Sequence, residues 1–227
     1  WFERKLVAGM QSRVGPDRAG PFGILQTVAD AIKLMLKEQI LPVKADRAMY
    51  LLAPIVALVP SFLIFMIIPL GPKLNFEFGG ENYIVDFVGA DLNVGVLYFL
   101  ALSSIAVYSV VLAGWSSGSK YPLLGGVRAS AQMISYEAAM GLALVPVILY
   151  SGSLSLVDIV NSQSGNLSSS IPILNSLVSF IPKWNVFPQF IAFGIFFIAA
   201  VAEVNRAPFD LVEAEQELVG GFHTEYS

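Results

Sequence analysis

One acidic residue, Glu137, interrupts a long apolar run. The stretch 129–157 contains no other charged residue. The residues one helical turn away from Glu137 are uncharged as well: Met133, Ile134, Met140 and Gly141. A lone charge at the centre of a membrane costs about 2.5–3.5 kcal/mol on insertion scales, so such residues face a polar interior and commonly mark paths for ions or protons. Glu137 is therefore a candidate proton carrier, and the alternative is an isolated structural hydrogen-bonding residue.

A second group of acidic residues lies further along the chain. It consists of Glu203, Asp210, Glu213, Glu215, Glu217 and Glu225. Pro208 suits the first turn of a helix in which Asp210, Glu213 and Glu217 would share one face, with apolar residues between them. Like charges at such spacing repel each other, and a partly buried group of them titrates as a coupled set that can hold shared protons. The alternative is a solvated acidic helix with favourable charges at its start.

Near the start of the chain, a basic loop leads into an amphipathic helix. Residues 13–21 contain Gly-Pro twice, which is typical of a turn-rich segment. Apolar residues then recur every three or four positions over 22–39, with Asp30, Lys33 and Lys37 on another face. A charged helix of this kind is expected to lie in the membrane interface and not to cross the membrane. It could form a wall of a channel for an amphipathic ligand, and the alternative is a surface helix with an ordinary Asp30–Lys33 pair.

The residue types that are missing from the sequence exclude several kinds of chemistry. The chain has no cysteine, so it cannot form a disulfide, a cysteine-ligated zinc site or a thiolate-bound iron–sulfur cluster. Its one histidine, His223, cannot supply both ligands of a bis-histidine haem, and with Glu225 alone it makes a poor metal site, so we predict no metal. The net charge of −4 argues against nucleic acid as a partner. Electrons for a redox reaction would therefore travel on a partner protein.

Four apolar stretches are long enough to cross a membrane. Charged residues make up only 13% of the chain, against about 25% in soluble domains. We predict an all-α integral membrane protein, a transmembrane helix bundle with an amphipathic interfacial helix and acidic loops on the cytoplasmic side. The spans are predicted at 48–70, 92–114, 129–151 and 185–204. The segment 1–47 would hold the end of an earlier span and a loop, and 205–227 an acidic loop, all within a single membrane domain over 1–227.

The placement of Lys and Arg predicts the orientation. Of the 13 Lys and Arg residues, all but Lys73 and Lys183 lie in 1–47, in the loop 115–128 or after the fourth span. Positive residues concentrate on the cytoplasmic side of membranes, so these segments are expected there. The two remaining loops are expected outside the membrane on the other side, and the later one has room for a short helix.

Several longer motifs occur together in one order along the chain. They are Glu3-Arg4-Lys5, Gln11-Ser12-Arg13-Val14-Gly15-Pro16, Gly20-Pro21-Phe22-Gly23, Ile134-Ser135-Tyr136-Glu137 and Ala202-Glu203-Val204-Asn205-Arg206-Ala207-Pro208-Phe209-Asp210. With these motifs the chain resembles the family of H subunits of NADH–quinone oxidoreductase (respiratory complex I), whose mitochondrial counterpart is subunit 1. The resemblance covers essentially the whole chain and is weak only in the two outer loops.

The resemblance implies a fold and a site. The family has eight transmembrane helices, and this chain would be a fragment, truncated at both ends, with the end of the first, the interfacial helix and the second to fifth. Positions that match the lining of a quinone tunnel are Arg4, Arg13, Asp30, Arg206 and Phe209. Positions that match an acidic relay, which couples quinone reduction to proton translocation, are Glu137, Glu203, Asp210, Glu213, Glu215, Glu217 and Glu225.

The resemblance also implies partners and cofactors. The chain would be a subunit of a proton-pumping enzyme and carry no redox centre itself. Quinone would be the substrate, while FMN and the iron–sulfur clusters would be bound by other complex I subunits, among them the hydrophilic subunits at the quinone site. The chain would lie in the lipid of the bacterial plasma membrane or, alternatively, of an organelle inner membrane.

Three other functions compete with this interpretation. One is the related membrane subunit of an energy-conserving hydrogenase, which has no quinone. The others are a passive membrane anchor and a stand-alone ion channel or transporter. The intact motifs at 13–16 and 202–210 favour the quinone-dependent enzyme over the hydrogenase.

Overall fold

Helices make up most of the described part of the chain. The computed structural model describes residues 1–38, 40–78, 81–166, 182–205, 209 and 220–226. These residues belong to two compact units, Trp1–Ile40 and Leu41–Ser227. Helix α1 runs over Phe2–Met10 and helix α2 over Gln26–Met35, both in the first unit, with a 3-10 turn at Pro21–Gly23 between them.

Helix α2 is shorter than the amphipathic helix predicted over 22–39. Its start is delayed because Phe22 and Gly23 have positive φ angles, 56° and 76°, which are incompatible with an α-helix. A Cβ at Gly23 would lie only 2.3 Å from the carbonyl oxygen of Pro16, so this close approach of two backbone segments requires glycine. The turn therefore uses the first residues of the predicted helix.

The second unit is built on three long helices. They are α3 (Arg47–Met66), α4 (Gly95–Ser116) and α5 (Lys120–Ser151). All three are long and apolar enough to cross a membrane. Helix α3 packs against α4, and α4 packs against α5. The apolar runs of the sequence therefore located these helices, because a helix that crosses a membrane needs about 20 mostly apolar residues in a row.

Helix α5 begins at Lys120, earlier than the predicted span, so most of the loop predicted over 115–128 is helical. Small residues let this extension pack closely against α4. A Cβ at Gly126 would lie 3.3 Å from the Cα of Gly114 on α4, so glycine on both helices lets the two backbones approach. With 32 residues, α5 is about 48 Å long, which exceeds the hydrocarbon core of about 30 Å.

The two outer loops contain regular structure. In the first, strands β1 (Leu74–Phe78) and β2 (Glu81–Val85) form an antiparallel hairpin. The hairpin departs from the all-α prediction, although the sequence carries a signal for it, because apolar and polar residues alternate along Leu74–Phe78 and two glycines follow. The second loop contains α6 (Leu156–Ser162), the short helix for which the sequence had room.

The fourth predicted span, 185–204, corresponds to a shorter apolar helix, α7 (Phe190–Glu203), which packs against α5. It has 14 residues and is about 21 Å long. Pro188 disfavours helical geometry at the residue before it, which delays the start of the helix. At the other end, Asn205 adopts a left-handed conformation with φ of 50°, and such a residue terminates helices.

Candidate functional site

Glu137 lies where α5 packs against α4. The hydroxyl of Ser104, on α4, donates a hydrogen bond of 2.6 Å to its Oε1 atom. The carboxylate is half-buried, and within the described residues no salt bridge involves it. A carboxylate that has a hydroxyl partner and no cation beside it suits a group that gains and loses protons. The partner was not foreseen, because Ser104 is 33 residues away in the sequence.

Glu203 lies at the end of α7 and is also half-buried. Its Oε2 atom is buried and has no hydrogen-bond partner in the described part of the chain. Because α7 packs on α5, Glu203 lies on the helix next to the one that carries Glu137. We call Glu137 and Glu203 the carboxylate pair. Two nearby carboxylates repel each other when both are ionised.

Phe209, a predicted tunnel residue, packs on the surface of α5 against Tyr136 and Gln132. Its ring meets the ring of Tyr136 edge-on, at 5.5 Å between centroids and 70° between planes. The side-chain amide of Gln132 donates a hydrogen bond of 2.8 Å to the backbone carbonyl of Phe209. Tyr136 directly precedes Glu137 in the sequence, and because consecutive residues of a helix point in different directions, Phe209 lies on the face of α5 beside that of Glu137. The motif at 134–137 contains Tyr136 without giving it a role, and Gln132 had no predicted role either.

Glu225 is held through its backbone by a pair of tyrosines. The hydroxyl of Tyr50, on α3, donates a hydrogen bond of 2.6 Å to the carbonyl of Glu225. The hydroxyl of Tyr226 donates one of 2.9 Å to the carbonyl of Tyr50, and the two rings stack at 4.0 Å with 4° between planes. We call Tyr50 and Tyr226 the tyrosine clasp. No described hydrogen bond or salt bridge joins Glu225 to the carboxylate pair.

The turn just before Glu225 lies directly on α5. This 3-10 turn spans Gly221–His223. A Cβ at Gly125 would lie 2.6 Å from the Cα of Gly221 and 2.8 Å from the backbone nitrogen of Phe222. Backbone therefore touches backbone here, and the contact depends on the absence of a side chain at Gly125.

In the first unit, the structure brings together two of the predicted tunnel residues. The guanidinium of Arg4 donates to the carboxylate of Asp30, and the amide of Gln26 donates to the same carboxylate at 2.8 Å. These hydrogen bonds, that from Arg4 first, hold the pKa of Asp30 below its ordinary value. Asp30 thus pairs with Arg4, and not with Lys33 as the alternative interpretation had it. Arg13 is exposed and, among the described residues, takes part in no salt bridge.

The other predicted site residues lie outside the described residues. They are Arg206, Asp210, Glu213, Glu215 and Glu217. Their places in the tunnel and the relay stay predictions. Where the chain is described, no group of three or more His, Cys, Asp or Glu side chains is arranged to hold a metal ion.

Comparison with known proteins gives a consistent result. The sequence model of the NADH dehydrogenase family matches residues 1–227. The chain is 51% identical over 227 residues to the H subunit of the NADH-quinone oxidoreductase of Thermomicrobium roseum, covering 100% of this chain and 63% of that protein. It is 52% identical over 228 residues to the protein of the same name from Frankia casuarinae, covering 100% and 45%. With the Brevibacillus brevis protein of that name, identity is 47% over 227 residues, covering 100% and 59%.

The chain thus spans about half to three-fifths of the length of the curated relatives it matches. The match nevertheless extends from its first residue to its last. The chain therefore belongs to the NADH dehydrogenase family, which includes the H subunits of bacterial NADH-quinone oxidoreductases.

Proposed function

We propose that the chain is a membrane subunit of a proton-pumping NADH:quinone oxidoreductase, in which it forms the quinone-access tunnel and the acidic relay that couples quinone reduction to proton translocation. The carboxylate pair is the observation that carries this proposal. The pair consists of two half-buried carboxylates on packed helices, with a hydroxyl donor and no salt bridge in the described residues. Burying such groups costs free energy, which favours a functional role for them. The names of the relatives support the choice of reaction.

The geometry supports a short route from the quinone to the protons. Phe209, which we assign to the tunnel, contacts Tyr136, and the next residue on α5 is Glu137. A change in charge or position at the quinone site would therefore act on the carboxylate pair through one turn of a rigid helix. From Glu203, at the end of α7, the acidic residues of the predicted relay continue along the chain towards Glu225.

The proposal also assigns tunnel residues within each of the two units. In the first unit these are the Arg4–Asp30 ion pair and Arg13, and in the second they are Arg206 and Phe209. A neutralised pair such as Arg4–Asp30 can hydrogen-bond a quinone headgroup without adding net charge to an apolar passage.

The partners and location follow from the same proposal. A chain without cysteine holds no thiolate-bound iron–sulfur cluster, so FMN and the clusters belong to the hydrophilic subunits at the quinone site. Neighbouring membrane subunits receive the protons or the electrostatic signal. We place the chain in a bacterial plasma membrane, because its relatives are bacterial and three of its helices are long and apolar enough to span a membrane.

Replacement of Glu203 tests the proposal. In the assembled complex, Glu203→Gln keeps the shape of the side chain but removes its titrating group. It is expected to slow quinone reduction and proton pumping together, by about 100-fold if the residue is an obligatory carrier, while assembly survives. The matched control is Glu77→Gln in the exposed hairpin strand β1, which should leave both rates unchanged. Full coupling in Glu203→Gln would remove the pair from the relay.

The hydrogenase alternative predicts a different substrate. Membranes that contain the complex should oxidise NADH in a quinone-dependent reaction that a tunnel inhibitor abolishes. Proton pumping with hydrogen evolution and without any quinone would support the alternative.

A further inference from the structure

Helix α3 lacks one backbone hydrogen-bond donor, at Pro54, and we call this the vacancy. Proline has no N–H, so the carbonyl one helical turn earlier, that of Tyr50, lacks its usual hydrogen bond from the residue four positions later. The hydroxyl of Tyr226 donates to this carbonyl at 2.9 Å. A side chain from the far end of the described chain thus takes the place of the missing helix donor, and a buried carbonyl acquires a partner that it would otherwise lack.

The contact between the two tyrosines is reciprocal, because each hydroxyl donates to a backbone carbonyl of the other segment. Tyr50 is only 3% exposed, and its hydroxyl returns a hydrogen bond of 2.6 Å to the carbonyl of Glu225. The two hydrogen bonds and the ring stacking therefore fix Glu225 and Tyr226 against the first turn of α3. Hydrophobic contact alone does not specify such a position, since it is non-directional.

A cavity beside the clasp shows that packing does not hold the second tyrosine on every side. The cavity has a volume of about 200 Å³, and its lining includes Pro54, Ser109, Phe222, His223 and Tyr226. A ring next to open space can swing into it once its polar anchor is lost, because few contacts oppose the motion. The backbone contact with Gly125 holds the start of this segment, and the hydroxyl bonds hold its end at Glu225 and Tyr226.

We propose that Tyr50 and Tyr226 are positioning residues of the proton relay. Tyr226 donates to the carbonyl that Pro54 leaves without its helix donor, Tyr50 donates to the backbone of Glu225, and together these bonds set the location of Glu225. This inference rests on the proposed function, because it assumes that Glu225 belongs to the relay. Neither tyrosine transfers a proton in this scheme. They act by holding the backbone that carries the acidic side chain.

Four variants of the assembled complex test the inference. Tyr226→Phe removes the donor to the vacancy and keeps the ring, and Tyr50→Phe removes the donor to Glu225. Pro54→Ala restores the helix N–H, so in the double variant with Tyr226→Phe the carbonyl of Tyr50 is satisfied, while the segment lacks the bond from Tyr226 and keeps only the bond from Tyr50 to Glu225. Tyr150→Phe, at an exposed position near the end of α5, is the matched control.

Three quantities are measured on each variant, and one of them is the thermal unfolding temperature of the complex. Amide hydrogen exchange over residues 220–226 reports whether the segment is held, and the ratio of protons pumped to quinones reduced reports coupling. Reduction of a water-soluble artificial electron acceptor by NADH confirms that the partner subunits are assembled. Tyr226→Phe and Tyr50→Phe are expected to speed exchange by about 2- to 10-fold and to lower the proton ratio, whereas Tyr150→Phe changes neither.

The double variant decides between positioning and simple stability. If the tyrosines position Glu225, adding Pro54→Ala restores the thermal stability of Tyr226→Phe but leaves its proton ratio low. Recovery of both would overturn the inference, as would unchanged exchange or an unchanged proton ratio in Tyr226→Phe. Failure of the proposed function is seen separately, as normal pumping in Glu203→Gln.

Discussion

Replacing Gly125 by alanine should dislodge the turn that precedes Glu225. The added Cβ would lie 2.6 Å from the Cα of Gly221, whereas carbon atoms pack best at about 3.5–4.0 Å. The 3-10 turn therefore has to move by about 1 Å, and overpacking of this kind costs about 1–3 kcal/mol. Alanine gains about 0.5–1 kcal/mol over glycine within a helix, so only a difference between two such replacements isolates the clash.

Gly141, on the same helix, provides the matched replacement. A Cβ there would meet only the side chain of Leu100, at 3.7 Å, which is ordinary contact. Gly141→Ala should therefore be neutral or stabilising, while Gly125→Ala should be destabilising relative to it by about 1–3 kcal/mol. In thermal unfolding of the purified chain in detergent, this difference corresponds to about 2–12 °C. Equal unfolding temperatures for the two variants would show that the backbone contact with Gly221 is absent.

Two further predictions concern the ionisable residues. Ser104→Ala removes the hydrogen bond to Glu137 and should slow proton translocation by about 10-fold, whereas Ser61→Ala, which loses only a bond to its own helix backbone, should not. An equal effect of the two serine variants would contradict this role. Arg4→Gln should raise the pKa of Asp30 towards its ordinary value, as followed by the pH titration of its carboxyl NMR signal. Because that pKa is lowered by Arg4, the ion pair stabilises the first unit at neutral pH and ceases to do so as the pH falls through the lowered pKa, and an unchanged titration would refute the contact.

The parts of the fold that depend on local composition could be predicted from the sequence. The apolar runs placed α3 and α4 with small errors at their ends, since length and hydropathy are properties of a segment by itself. The predicted span 129–151 lies within α5, whereas most of the loop predicted before it is helical, where Gly126 packs against α4. The start of α7 was wrong by several residues, although Pro188 carried a signal that could have placed it.

The candidate site shows the same division. Glu137 stood out because its own segment offered no neutralising residue, and that is a local observation. Its partner Ser104 comes from the neighbouring helix, and the partner of Asp30 is Arg4, 26 residues away. Helical spacing had instead suggested Lys33. Contacts between distant segments depend on packing geometry, which residue spacing within one helix does not contain.

The unbroken length of α5 has a mechanical consequence. The helix carries Gly125 and Glu137 without a proline or a change of conformation between them, over about 18 Å. A hydrogen-bonded helix resists bending over so short a distance, so tilting it at the glycine end also displaces the acid. Movement of the turn that packs on Gly125 is therefore transmitted along α5 to Glu137, the acidic residue inside the bundle.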